Sequence, residues 1–213
     1  MLDIEGNKEK FCALLRGTGR NGVDEVITGL EKLGFFEAPA SSKFHLAEKG
    51  GLCAHSLNVY EQALSIMSSQ SAPGFRERVT IESVAIAALL HDVCKAEIYK
   101  VETKRRRRPD GVWEDYQGYS VDYSHFPMGH GEKSVTRLLL LGLEMTQEEM
   151  LAIRWHMSNW SLSQDSESKG NYGAAQDKCE LLAVITAADV LATAIDEGPI
   201  AYKVYADRQG AGE

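Results

Sequence analysis

Apolar residues recur at helical spacing along most of this chain, and the breaks between the runs set its organisation. Two short amphipathic stretches come first, about Lys8–Leu15 and Val23–Leu33, parted by the Gly-rich turn Gly17–Gly22 and closed by Gly34. A connecting loop follows, marked by Pro39, Ser41, Ser42 and the pair Gly50 and Gly51. From about Leu52 to Met67 one stripe (Leu52, His55, Val59, Ala63, Ile66) lies beside another (Leu57, Tyr60, Leu64, Met67). Apolar side chains then cover most of the circumference, which predicts a central helix with little exposed face.

A second apolar helix is predicted over about Thr80–Cys94, with His91 and Asp92 near its end. Between Ile98 and Tyr123 the period shortens, and β-favouring residues flank the turn Pro109-Asp110-Gly111, so a β-hairpin with a basic strand facing an acidic one is expected. The helical period returns over His130–Leu141 and Thr146–His156, the latter opened by a Thr146/Glu149 capping box, with Gly142 between them. Asn159–Gln176, rich in Ser, Gly, Asn and Asp, reads as a long loop of the kind that serves as a lid. A closing helix runs from about Lys178 to Ile195, and no internal repeat is present.

With 213 residues, 44% of them hydrophobic and 25% charged, the chain can bury one sizeable core. The expected fold class is all-α with a small β-hairpin insertion. Its divisions are an N-terminal helical element at 1–40, a main helical domain at 41–205 with the hairpin at about 98–123, and a frayed tail at 206–213. No run approaches the ~18 apolar residues of a membrane span, and the first thirty residues lack a leader pattern, so a cytoplasmic protein with no membrane partner is expected. Cys12, Cys53, Cys94 and Cys179 form no CxxC pair and read as buried reduced thiols. A net charge of -8 argues against general nucleic-acid affinity. Only Lys104–Arg108 departs from that, as a solvated hairpin edge or as a contact for a phosphate-rich ligand.

The candidate chemistry lies in His55, His91, Asp92, His156 and Asp189, each in or at the end of an apolar segment where an ionised carboxylate needs a partner. Asp189, inside "LLAVITAADVLATAID", calls for a cation or a histidine. Taken singly, each histidine is better explained as a satisfied core residue. With His130 added, the order His55, His91-Asp92, His130, His156, Asp189 spreads over helices that a bundle can bring to one point. Imidazole and carboxylate together suit Mn, Fe, Co, Ni or Zn, and the lack of thiolates in the set favours a catalytic over a structural site.

The segments "GGLCAHSLNVY", "ALLHDVCK", "GHGEKS", "LAIRWHMSNW" and "AADVLATAID" resemble the HD-domain metalloenzymes in order and helical context, over roughly residues 50 to 196. The resemblance implies an HD-type helical bundle and a metal-dependent phosphohydrolase. It implies that His55, His91, Asp92 and Asp189 bind one divalent transition metal ion, that His130 and His156 hold a second with Asp92 bridging, and that Lys95 faces the substrate phosphate. Asp92 and Lys95 would be the catalytic pair. His125, five residues before His130, competes with it as a ligand, His45 reads as a loop residue near the site mouth, and Lys95 also suits a helix C-terminus.

The implied substrate is a small phosphorylated molecule, foremost a nucleotide. The segment "AIRWH" is similar to one in bis-nucleoside tetraphosphate hydrolases of this superfamily, and its 3'-to-5' exonucleases keep a nucleic-acid end open. Trp155 and Trp160 flank His156 as candidates to stack on a base or as core. The same ligands are compatible with a mixed-valent diiron oxygenase, or with a nucleotide-sensing module that does not turn over.

Overall fold

The computed structural model describes residues 2–158, 163 and 165–198. Helix α1 (Ile4–Gly17) starts where Asp3 accepts from the Gly6 amide, and α2 (Val23–Lys32) starts at Gly22 in the left-handed conformation. A Cβ on Gly22 would stand 2.1 Å from the Gly142 carbonyl oxygen, so the turn before α2 can lie against the chain near Gly142 only as glycine. Phe11, Phe35 and Phe36 pack as a trio with centroids 5.2 to 5.5 Å apart, and they join the same core as Leu52, Leu89, Ile153 and Ile185.

Helix α3 (Gly51–Ser69) is buried around most of its first turns, as its double apolar stripe requires. The short α4 (Phe75–Arg78) leads to α5 (Ile81–Leu90), capped by Thr80 and buried at every position from Val84 to Leu90. Helix α5 is enclosed by α1, α3, α7 (Gln147–Trp155) and α9 (Glu180–Leu191). Each large aliphatic side chain fully buried in this centre contributes about 1.5–3 kcal/mol. The helix stops at Leu90, not near Cys94 as the apolar pattern suggests. Asp92 leaves helical geometry at φ −107° and ψ 17°, and the chain tightens into a 3-10 segment, Val93–Glu97. Apolarity continues through the break, so hydropathy alone does not register it.

Strands β1 (Tyr99–Arg107) and β2 (Trp113–Val121) pair antiparallel from Tyr99 opposite Val121 to Arg107 opposite Trp113. The register places cations against acids. Arg106 meets Glu114 at 2.6 Å and Arg105 meets Asp115 at 3.9 Å across the pair, while Lys104 meets Glu102 of its own strand at 3.3 Å and Arg108 pairs with Asp110 in the turn. Arg107 instead donates to the Gly111 carbonyl at 3.0 Å. This is a solvated ribbon in which Arg105 and Arg106 are answered across the pair and their neighbours by the same strand or the turn.

After α6 (His130–Leu140) and α7 the chain departs from the loop expected there. Of the expected loop Asn159–Gln176, residues 159–162 and 164 lie outside the described residues, but Ser166–Lys178 is a helix, α8. Asp165 caps it by accepting from the Ser168 amide at 2.7 Å, Tyr172 packs on Trp155 at 5.5 Å between centroids, and Ala175 is buried. Tertiary contact and a cap outweigh a composition with weak helical propensity. The closing helix is shorter than expected at both ends. Cys179, in extended geometry, separates α8 from α9, and after Leu191 the backbone opens into a π turn over Ala192–Asp196. The tail at 206–213 lies outside the described residues. Among the described residues no helix is long and apolar enough to cross a membrane.

Candidate metal centre

Three helices and two helix ends deliver the candidate residues to one buried place. His55 lies on α3, His91 and Asp92 in the break after α5, His130 at the first position of α6, His156 just past α7, and Asp189 on α9. Gly131 makes one of these approaches possible, since a Cβ there would sit 2.1 Å from the Arg154 carbonyl oxygen. The start of α6 therefore lies against the end of α7, with the His130 and His156 rings 5.2 Å apart. His55, His91, Asp92 and His156 are at most 2% exposed.

Asp92 is the centre of the cluster. Its Oδ1 is 2.7 Å from His130 Nε2 and 3.5 Å from His156 Nε2. Its Oδ2 is 2.7 Å from Lys95 Nζ, 3.3 Å from His91 Nε2 and 3.6 Å from His55 Nε2. Asp189 Oδ1 approaches His55 Nε2 at 3.2 Å. The opposite ring nitrogens point outward to fixed partners. His91 Nδ1 donates to the Ala88 carbonyl and His156 Nδ1 to the Ile153 carbonyl, each at 2.8 Å. A carbonyl oxygen only accepts, so each ring carries a proton on Nδ1, and it is Nε2 that faces inward.

These observations fit a divalent transition metal. His156 Nε2 is buried and has no hydrogen bond, and the Nε2 atoms of His55 and His91 face each other at 3.3 Å, an arrangement that an ion among them would satisfy. The outward Nδ1 contacts are those that orient imidazole ligands. His55–His91–Asp92, His91–His156–Asp189 and Asp92–Cys94–His130 each place three potential donor atoms within 4.8 Å of one another.

Without metal, protons carry the balance. Burial disfavours charge on His55, but hydrogen bonds to Asp189 and Glu197 outweigh it and raise its pKa to about 9. Burial likewise opposes charge on His130, while the Cys94 sulfur and Asp92 bring it to about 9. Asp92 is held well below the usual carboxylate range despite its burial, by Lys95 and His91 first and then by His130 and His156. Asp189 is lowered too, against burial, by His55 and His91. Burial would neutralise Lys95, yet Asp92 keeps its pKa raised, so its ammonium charge is retained in the site.

The remaining candidates separate clearly. His125 is exposed and pairs with Glu97 at 3.0 Å, whereas His130 reaches Asp92. His45 packs its ring 5.1 Å from that of His55. Burial, with His55 and Lys95, depresses its pKa to about 4, and its Nε2 is sealed without a partner. Trp155 is core, packed between Tyr172 and Arg154, and Trp160 lies outside the described residues.

Two contacts escape the sequence. Cys94, read there only as a buried thiol, places Sγ 3.2 Å from His130 Nδ1, and Glu197 places its carboxylate 3.0 Å from His55 Nδ1. Cys94 has the hydropathy of its apolar surroundings. Glu197 follows the π turn, which breaks the helical count by which it would have been placed.

Residues 52–194, which contain all six candidate ligands and Lys95, match the family model described as HD domain. No curated protein and no solved structure gives a significant match to the chain.

Proposed function

The chain belongs to the HD domain family, in general metal-dependent phosphohydrolases, and from that premise we propose that it hydrolyses a phosphomonoester or phosphodiester bond of a nucleotide. The observation that carries this reading is the convergence of four imidazole Nε2 atoms and Lys95 on the single buried carboxylate of Asp92. In the proposed assignment His55, His91, Asp92 and Asp189 would hold one divalent transition metal ion, and His130 and His156 would hold a second, with Asp92 available to both. Such ions, when bound, lower the pKa of bound water and neutralise phosphoryl oxygens.

The chain supplies the rest. Lys95 keeps its positive charge at the edge of the ligand set and is assigned to a phosphoryl oxygen, as a point charge on a flexible stem. Asp92, with both oxygens facing the cluster, is assigned to orient the attacking water. The surrounding apolar core limits water access, which strengthens each of these interactions. A small nucleotide is favoured over a nucleic-acid end by the net charge of -8 and by a hairpin in which Arg105, Arg106 and Arg108 already meet carboxylates.

Elemental analysis of the purified protein, combined with phosphate or nucleoside release from a nucleotide panel with and without added Mn, tests the proposal. About two metal equivalents and a metal-dependent product are expected. A protein that stays metal-free after reconstitution and releases nothing overturns it.

A further inference from the structure

Glu197 is buried, its side chain 1% exposed, on the far side of His55 from Asp92 and Asp189. Its Oε1 and Oε2 lie 3.0 and 3.1 Å from His55 Nδ1. Asn58, one turn beyond His55 on α3, donates to the same Oε1 at 2.8 Å. The backbone is shaped for this return. The π turn Ala192–Asp196 widens the end of α9, the Glu197 amide donates to the Ala192 carbonyl at 3.0 Å, and a Cβ at the next residue, Gly198, would stand 2.3 Å from the Ala194 carbonyl oxygen. Widened turns of this kind concentrate at functional sites.

We infer that Glu197 is a positioning residue for His55: accepting from Nδ1–H, it fixes the tautomer and ring orientation that turn Nε2 toward Asp92 and Asp189. The inference rests on the metal-centre reading above and adds a residue outside the ligand set. A carboxylate accepts and does not donate, so the His55 proton is held on Nδ1 and the Nε2 lone pair is left for an ion. His91 and His156 obtain the same result from backbone carbonyls of their own helices, three residues earlier. For His55 the service is performed by a side chain arriving from 142 residues away. That makes it removable by mutation.

The test is a competition titration of the metal-stripped full chain with Zn2+ against a chromophoric chelator, for the wild type, Glu197→Ala and Glu197→Gln. Glu197→Ala is expected to weaken Zn2+ binding about 10- to 100-fold. Glu197→Gln should recover most of that loss, because one amide oxygen can accept from both His55 and Asn58, as Oε1 does now. A purely structural role would not give this rescue at equal melting temperature. Equal Zn2+ affinity in wild type and Glu197→Ala overturns the assignment of Glu197 alone, whereas a wild type that takes up no Zn2+ overturns the metal reading beneath it. Should Glu197→Ala fail to fold, 15N–1H correlation of the His55 ring in the Zn2+-loaded wild type decides. A proton on Nδ1 supports the inference, and a bare Nδ1 overturns it.

Discussion

Lys95 Nζ lies 2.7 Å from Asp92 Oδ2, three residues apart across the break that ends α5, and the lysine side chain is 14% exposed. The ammonium thus reaches into the cluster while its stem stays in the wall. Lys95→Met keeps the stem and removes the charge. Metal stoichiometry should hold, while kcat/KM for the proposed nucleotide substrate falls about 10- to 100-fold, the equivalent of a charge-assisted hydrogen bond of about 1.5–3 kcal/mol. Loss of metal together with activity would make Lys95 a support of Asp92, and unchanged kinetics would remove it from the substrate.

Metal should remove the pH dependence of stability that two histidines of the cluster create. In the metal-free protein His55 and His130 titrate at about 9, above the ~6.5 of an unfolded histidine. A raised pKa contributes stability that is fully present below about pH 6.5 and is lost as pH climbs through about 9. With metal bound, the same protons compete with the ion, and their loss tightens binding. Thermal melts across this window should fall for chelated protein and stay level for metal-loaded protein, because the tighter binding offsets the loss. Parallel curves would contradict the ligand assignment of these two histidines.

Asp165 supplies the cap that turns a loop-like sequence into α8. Asp165→Ala should cost about 1 kcal/mol, and hydrogen exchange should show the loss locally, as faster exchange at Ser168 and Lys169. If those amides are equally protected in the variant, the helix is held by the Tyr172 and Ala175 contacts alone.

The sequence carries the main helices, the hairpin and the six histidine and aspartate candidates because each leaves a local trace. Period marks Leu52–Met67, turn chemistry marks Pro109–Gly111, and an ionisable residue in an apolar run marks Asp189. What it does not carry is decided at a distance. Helix α8 depends on Trp155 meeting Tyr172, the choice of His130 over His125 on where Asp92 lies, and the approach of Glu197 to His55 on a π turn. Nothing in the residues next to Cys94 announces that its sulfur lies beside His130. Local pattern finds donors, whereas the partners that orient them depend on packing.

Glu149 shows the same division in a residue whose cost can be measured. The capping box predicts its contact with the Thr146 amide, at 2.9 Å, but the fully buried carboxylate also accepts from Arg20 through both terminal nitrogens, at 2.7 and 3.1 Å, and from Ser83 Oγ at 2.8 Å. It therefore ties the turn after α1 and the start of α5 to the start of α7. Losing the cap alone, in Thr146→Ala, should cost about 1 kcal/mol. Arg20→Ala should cost about 3–5 kcal/mol, because it leaves a buried carboxylate without its counter-charge. Urea denaturation of the two variants gives the ranking directly. His156 sits at the other end of α7 from this clamp, so folded Arg20→Ala should still bind metal with wild-type stoichiometry. Combining Arg20→Met with Glu149→Leu should recover much of the lost stability, since an apolar pair avoids desolvating two charges. If the double variant is no better than Arg20→Ala, the hydrogen bonds from Ser83 and Thr146 matter more than the ion pair.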